Sequence, residues 1–307
     1  MKYKDAFAGC HPIVNFVFFA IVLLSSMIIT HPLFLGISLI CAFCYCVYLR
    51  GLGGLKFTAK YMLPLAILTM IFNPAFTHEG VTMLFRLPSG NPLTLESTLF
   101  GFGMAAMMIA VILWFACYTE VMTSDKFVYL FGRIAPAFSL VLSMALRFVP
   151  KFGAQIQVVS DAQKSIGRST EEGGLIKRLR NGITVFSIMV TWSLENAIET
   201  ADSMKDRGYG LPGRTAFTIY RFDERDRNLL IWIIFAGIFV TSGAIAGGTF
   251  WRYYPSVKGA EINLMTVMLA IGHLLLCLTP LILDIYIDYR WKQAEGGYDH
   301  ARQQRNT

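Results

Sequence analysis

Charge is scarce in this sequence. Asp, Glu, Lys and Arg make up 15% of its 307 residues, against about 25% in an ordinary soluble domain. The charge is missing in blocks, leaving long apolar runs, and a chain can carry such runs through lipid only as helices that satisfy their own backbone. The scarcity also excludes chemistry. His273 is the one ionisable residue well inside an apolar run, and Asp284 sits near the end of one. A self-sufficient ion-coupled carrier or an intramembrane enzyme needs carboxylates, histidines or arginines at that depth. No phosphate-binding P-loop, no HExxH zinc motif and no GxSxG nucleophile elbow occurs. His273 therefore reads as a packed, hydrogen-bonded side chain. The six cysteines, Cys10, Cys41, Cys44, Cys46, Cys117 and Cys277, fall mostly in apolar runs. Cys41, Cys44 and Cys46 are closely spaced, but no His or carboxylate accompanies them as a zinc site would require, so they read as small packed residues. His31 and His78 both fall near the outer side, but two separated histidines are thin support for a metal ion. No cofactor and no metal site is expected.

What the sequence does contain is six apolar runs: about Pro12–Thr30, Pro32–Tyr48, Tyr61–Phe76, Thr98–Tyr118, Leu229–Ala246 and Asn263–Tyr286. The first could pass for a signal peptide, but it lacks a clear small-x-small cleavage site and a second run follows at once, turning at His31-Pro32. Gly243 and Gly247 form a small-xxx-small pair in the fifth run, a pattern that allows close helix packing. The fold class that follows is all-α: a polytopic helical membrane protein with about six spans. The organisation is an N-terminal bundle over 1–118, a long polar region over 119–228, two closing spans over 229–287 and a polar tail over 288–307. Of the 27 Lys and Arg residues, only Arg86, Arg252 and Lys258 fall on the side opposite the termini. Because cytoplasmic loops collect Lys and Arg, both termini and the 119–228 region are expected in the cytoplasm, in a cell membrane. That asymmetry accounts for the net charge of +7 without nucleic acid.

The 119–228 region is more than a solvated loop. Ile134–Val149 is apolar, ends near Arg147 and is followed by Pro150, and reads as a helix at the inner membrane face. Phe152, Ile156, Val159, Ala162 or Gln163, and Ile166 recur at steps of three and four, as on one face of a helix that stops at Gly167. A charged linker over Arg168–Asn181 follows, near enough to the bilayer to meet anionic headgroups. A second helix is expected over Thr184–Arg207, ending at Gly208. The two ends match: Lys164-Ser165-Ile166-Gly167 aligns with Lys205-Asp206-Arg207-Gly208. A basic residue in the last turn complements the exposed carbonyls of a helix end. An arginine at a helix tip can also enter a pocket on another protein and make a bidentate bond to a carboxylate.

These residues resemble the transmembrane (T) component of energy-coupling factor transporters, the family that includes the cobalt-transport membrane subunit. The likeness runs from about Ile71 to Tyr220. It is carried by Ile71-Phe72-Asn73-Pro74-Ala75-Phe76 with Gly80, by Leu146-Arg147-Phe148-Val149-Pro150, and most specifically by Ala201–Thr215, which includes Tyr209 and Arg214-Thr215. The resemblance implies a non-catalytic subunit. Its cytoplasmic coupling helices would end in arginine-glycine motifs docked in grooves of two ATP-binding-cassette ATPases, and its spans and helices would grip a separate substrate-binding (S) membrane protein. ATP hydrolysis in those partners would drive uptake of a micronutrient, a vitamin or a transition-metal ion, selected by the S protein. Carried over residue by residue, Ala201, Arg207 and Gly208 form the second motif and Gly167 supplies the glycine of the first. Ile166 stands where the first motif has arginine, leaving Lys164 or Arg168 to supply the charge, or an apolar contact in its place. A membrane anchor or assembly scaffold without transport, and a membrane-embedded enzyme, are the competing classes.

Overall fold

A computed structural model describes residues 6–77, 80–86, 92–132, 136–171, 173–211, 220–259 and 263–305. Lys2, Lys4, His78, Ile134, Arg214 and Thr215 lie outside the described residues. The chain divides into two compact units, Met1–Thr123 with Tyr220–Thr307, and Ser124–Ile219.

The first unit is the membrane bundle. It contains α1 (Pro12–Ile28), α2 (Pro32–Arg50), α3 (Leu52–Phe57), α4 (Leu63–Phe76), α5 (Leu95–Val121), α9 (Glu224–Ile245) and α10 (Leu264–Arg305). Two short antiparallel hairpins accompany them, β1 (Met83–Arg86) with β2 (Pro92–Thr94) and β3 (Trp251–Arg252) with β4 (Lys258–Gly259). Five helices are long and apolar enough to cross a membrane, and α1 is an apolar helix of 17 residues beside them. The chain is thus an all-α polytopic membrane protein. α2 packs on α1, α5 and α10; α9 packs on α1 and α10; α4 lies along α5.

The bundle is tied where the sequence offers few polar groups. Trp114 of α5 is fully buried among Phe18, Phe19 and Tyr45. Its indole N–H donates to Ser38 Oγ at 3.0 Å, and Ser38 Oγ shares a 2.6 Å hydrogen bond with Ser26 Oγ. Three helices thereby meet at one hydroxyl. His273 is buried against Phe34, with Nε2 3.7 Å from Cys277 Sγ. Asp284 is buried and accepts from the Phe7 backbone N–H at 2.8 Å, fastening the segment before α1 to α10. Arg50, at the end of α2, reaches Glu120 at 3.3 Å and the Ala116 carbonyl at 3.3 Å, both on α5.

Helix ends receive specific groups. Both α1 and α2 open with His-Pro. Proline at the first turn gives up only an N–H that has no helical partner. The histidine before it caps: His11 Nδ1 accepts from Ile13 N at 3.3 Å and His31 Nδ1 from Leu33 N at 3.2 Å. The carboxylate of Glu96 takes the Thr82 N–H between its two oxygens at 3.2 Å each, pinning the α4–β1 connection to the start of α5. Gly80 is required there: its φ is +149°, and a Cβ would lie 2.5 Å from Glu96 Oε2.

Several elements differ from expectation. The third apolar helix begins at Leu52 rather than Tyr61 and passes through a π turn at Thr58–Met62. Pro64 follows this turn closely and cannot donate to the ladder. Gly243 does pack closely, since a Cβ would overlap Leu269, but Gly247 lies beyond the end of α9 with φ +88°. It terminates the helix, its N–H bonding to the Ala244 carbonyl and that of Gly248 to the Gly243 carbonyl. α10 runs on to Arg305, so the polar tail is carried as helix; the Lys, Gln, Ala and Glu residues in it are good helix formers.

The second unit consists of α6 (Ser124–Gly132), α7 (Pro136–Ser165) and α8 (Leu175–Asp206). The apolar segment and the stripe after it are one helix of 30 residues, α7, with Pro150 inside. Proline there removes one hydrogen bond, to the Leu146 carbonyl, and the ladder continues on either side. α8 starts at Leu175 rather than Thr184, so the charged linker shrinks to 168–174. Leu175, Leu179 and Ile183 extend the helical period upstream, and Gly182 lowers helix propensity by only about 1 kcal/mol.

The polar ties of the bundle can be tested in two ways. Replacing Ser38 by Ala strands a buried indole N–H, which costs about 1–3 kcal/mol. Ser26→Ala leaves Trp114 satisfied and is nearer the ~0.6 kcal/mol average for interhelical bonds in membranes. Thermal unfolding in detergent should therefore rank Ser38→Ala well below Ser26→Ala. The second test concerns pH. Burial lowers the pKa of His11, with the charge of Asp226 opposing, and burial lowers that of His31, both from 6.5. The folded state favours the neutral, accepting imidazole, so its stabilisation is full above pH 6.5 and is lost as pH falls below it. Wild type should lose melting temperature between pH 7.5 and 5. His11→Asn/His31→Asn, whose amide oxygens cap without titrating, should lose less.

Candidate functional site

The candidate site is built on the pairing of α7 with α8. Phe152 and Val159 of α7 meet Val185, Met189 and Trp192 of α8 in a small apolar seam. Residue numbers rise along α7 as they fall along α8, so the helices run antiparallel. At the far end of the seam Lys151 crosses over: its Nζ donates to Asn196 Oδ1 at 3.2 Å and lies 5.5 Å above the Trp192 ring and 5.8 Å from that of Phe148. Phe152 meets Trp192 edge-on at 5.4 Å. At the near end Asn181 donates to the Ser169 carbonyl at 2.8 Å and Arg178 Nε to the Thr170 carbonyl at 3.0 Å, holding the connecting loop against the first turns of α8.

The two helices end in the same backbone structure. Gly167 and Gly208 both have φ +76°. After α7, Gly167 N bonds to the Lys164 carbonyl at 3.0 Å and Arg168 N to the Gln163 carbonyl at 2.9 Å. After α8, Gly208 N bonds to Lys205 O and Tyr209 N to Met204 O, each at 2.9 Å. These are paired Schellman closures, and the left-handed residue in each favours glycine because it has no Cβ to clash. Ile166 and Arg207 consequently occupy the same position, the last residue before the glycine. Both are exposed.

Their surroundings differ. Among the described residues no side-chain hydrogen bond or ion pair engages the Arg207 guanidinium. Lys205, two residues earlier, pairs with Asp202 at 3.7 Å. At the first tip Lys164 is 3.7 Å from Glu171 across the loop, whereas Arg168 is exposed and unpaired among the described residues. Arg168 is therefore the better-placed cation of the two. Ala201 is exposed on α8 about two turns before Gly208.

The structure gathers Lys164, Gly167 and Arg168 at one tip and Ala201, Arg207 and Gly208 at the other, and it does not bring the two groups together. The first tip lies beside Asn181. From there α8 runs about 27 residues to Gly208, and at 1.5 Å per residue the tips stand roughly 40 Å apart. Sequence reasoning missed the Lys151–Trp192–Asn196 latch. Its one signal was a lysine directly after Pro150, which reads as an ordinary solvated charge until the pairing of the helices is known. Among the described residues no three His, Cys, Asp or Glu side chains come together as metal ligands would.

Comparison with known proteins identifies the family. The profile of the CbiQ family, described as cobalt transport protein, matches residues 11–217. The energy-coupling factor transporter transmembrane protein EcfT of Lactobacillus helveticus is 35% identical over 102 residues, 33% of this chain and 37% of that protein. EcfT of Lactococcus lactis is 33% identical over 96 residues, 31% of this chain and 36% of that protein. The chain thus spans little more than a third of the length of these two relatives. EcfT of Streptococcus equi is 26% identical over 196 residues, 59% of this chain and 71% of that protein. With most of its length matched by that profile, the chain belongs to the CbiQ cobalt transport protein family, the family of energy-coupling factor transmembrane components.

Proposed function

We propose that this chain is the coupling subunit of an energy-coupling factor importer: the tips of α7 and α8 dock in grooves on two ATP-binding-cassette ATPases, and the movement of those subunits passes to a separate substrate-binding membrane protein. The observation that carries this reading is the pair of matching, exposed, glycine-closed helix ends about 40 Å apart on one hairpin. Two helix ends of matching backbone on one hairpin suit two sockets on a dimer of motor subunits. The bundle contributes no row of intramembrane charges for polar cargo, which leaves cargo selection to a partner and the energy source to ATP hydrolysed elsewhere. The excess of Lys and Arg in loops on one side supports a cytoplasmic location for the tips and for both termini. The cargo class is a micronutrient, a vitamin or transition-metal ion.

In this reading Arg207 makes a charge-assisted bond to a carboxylate in the second socket. Such bonds contribute about 1.5–3 kcal/mol, so Arg207→Ala should weaken co-purification with the ATPases by roughly ten- to a hundredfold, and Arg207→Glu further. Ile166→Arg, at the equivalent position, should leave that binding intact or tighten it. If Arg207→Glu bound the ATPases and supported uptake like wild type, the role given to this tip would be wrong. Lys151 tests the link between the tips. Lys151→Gln keeps both helix ends but loses the cation above Trp192, worth about 0.5–1 kcal/mol at an exposed site. It should retain the ATPases in pull-downs while uptake per ATP hydrolysed drops, and Lys151→Arg should restore coupling.

A further inference from the structure

α8 has two apolar faces, and only one of them is covered by α7. Successive helical residues turn by about 100°, so Asn181, Val185, Met189 and Trp192 share the face toward α7. Leu175, Leu179, Ile183, Phe186 and Val190 share the opposite face, with Ile176 beside them. This second face is open: Leu175 is 83% exposed, Ile176 84% and Phe186 69%.

Its charges are arranged unusually. The first two turns carry Lys177, Arg178 and Arg180, all exposed, and no acid. The last three turns carry Glu195, Glu199, Asp202 and Asp206 together with Lys205, and Arg207 caps the end. A helix dipole favours acids at the N-terminus, where α8 has none. The cations at the start of α8 are thus placed against the field of their own helix and call for negative charge from outside it. They also flank the apolar stripe on both sides, Arg180 on one edge and Arg178 on the other, with Lys177 behind. Long basic side chains in that position keep their heads in the polar layer while their stems follow apolar surface. Gly174, Leu175, Ile176, Lys177 and Arg180 line an open hollow of about 560 Å³. It has cations at its rim and leucine and isoleucine in its wall.

We propose that the N-terminal third of α8 is a docking surface for anionic phospholipid. Leu175, Ile176, Leu179 and Ile183 enter the interfacial layer of the bilayer, Arg178 and Arg180 at the edges of the stripe meet its phosphate headgroups, and Lys177, on the far side of the helix, adds its charge within a Debye length of them. Apolar residues on one face with basic residues bordering them is the pattern of helices that lie in a membrane surface. Anionic leaflets attract such cations with a strength of about a fivefold change in occupancy per residue. The surface is independent of the coupling reading, because it needs neither ATPase nor substrate-binding protein.

The test uses the full chain, without partners, in proteoliposomes. An environment-sensitive fluorophore is attached at Leu179→Cys in a Cys44→Ser background, Cys44 being the exposed cysteine of the six. In bilayers containing phosphatidylglycerol the fluorophore should emit blue-shifted and be quenched by lipids carrying a nitroxide near the headgroup. In pure phosphatidylcholine, or at about 1 M salt where screening is short-ranged, both signals should fall. Lys177→Gln/Arg180→Gln should reduce immersion by roughly twentyfold or more, and it spares Arg178, which also holds the loop through Thr170. Immersion that is equal in neutral and anionic bilayers and indifferent to that double variant would overturn the proposal. So would a fluorophore that stays in water on anionic bilayers and becomes shielded only when the ATPases are added, which would assign the surface to a protein groove.

Discussion

Every helix in this protein must do something with its last unpaired backbone groups, and the structure is organised by how it does so. In lipid, and at its edge, an orphan N–H or C=O has no water to fall back on. The bundle answers with capping side chains. His11 and His31 cap the starts of α1 and α2, Thr94 accepts from Ser97 N at the start of α5, and Asp223 and Asp226 form a capping box at α9. Most of the polar residues that a charge-poor chain keeps in and beside its spans serve helix ends or one buried hydrogen bond. The same constraint produces the candidate site. α7, α8 and α9 all close through a glycine in the left-handed region. At α9 this merely turns the chain, while at α7 and α8 it leaves a compact, exposed tip whose preceding side chain projects.

This explains which features were legible in the sequence. A left-handed helix end favours glycine, so Gly167 and Gly208 mark both tips in the sequence alone. The apolar runs mark the spans, because nothing but a helix can carry them through lipid. Other features depend on partners distant in sequence. Gly247 looks like a packing residue because it is spaced four from Gly243; only the end of α9 at Ile245 shows that the first glycine packs and the second terminates. Glu96 looks like an acid at a span boundary, and its carboxylate proves to hold the Thr82 N–H. Pro150 looks like a break, yet α7 passes through it. Proline removes a single bond, and a helix with an apolar seam on α8 just beyond that point can lose one.

The two tips separate geometry from chemistry. Their hydrogen bonds agree to within 0.1 Å and their glycine φ angles are equal, so backbone shape cannot distinguish them. Ile166 and Arg207 do. On the proposed reading, one socket receives a cation from the residue before the glycine. The other receives an apolar side chain there, with Arg168 one residue past the glycine as the nearest free charge. A dimer of motor subunits need not be symmetric to accept both. On that reading the shared backbone would set depth and direction of insertion, and the side chains which socket each tip prefers. A pair of identical arginine tips could enter either socket, whereas an isoleucine tip and an arginine tip fix the orientation of the subunit on its motor.

On the proposed reading, transmission places a further demand on α8. It is about 48 Å long at 1.5 Å per residue, and an isolated helix of its composition, with β-branched residues and Gly182, would be marginal. The seam with α7 is short, running from Val159–Val185 to Phe152–Trp192, and Lys151–Asn196 closes it. From Asn196 α8 continues for about 11 residues, or roughly 16 Å, to Arg207. A displacement applied at Arg207 therefore acts on a lever whose last fixed point is that latch. A purely apolar seam would resist separation but tolerate sliding, since dispersion contacts exchange one neighbour for another at little expense. The Lys151 contact is directional, combining a hydrogen bond with a charge held over one ring, and it fixes register as well as proximity. On the proposed reading, a polar contact at the edge of the seam nearest the free arm is where resistance to sliding converts most fully into movement of the whole hairpin.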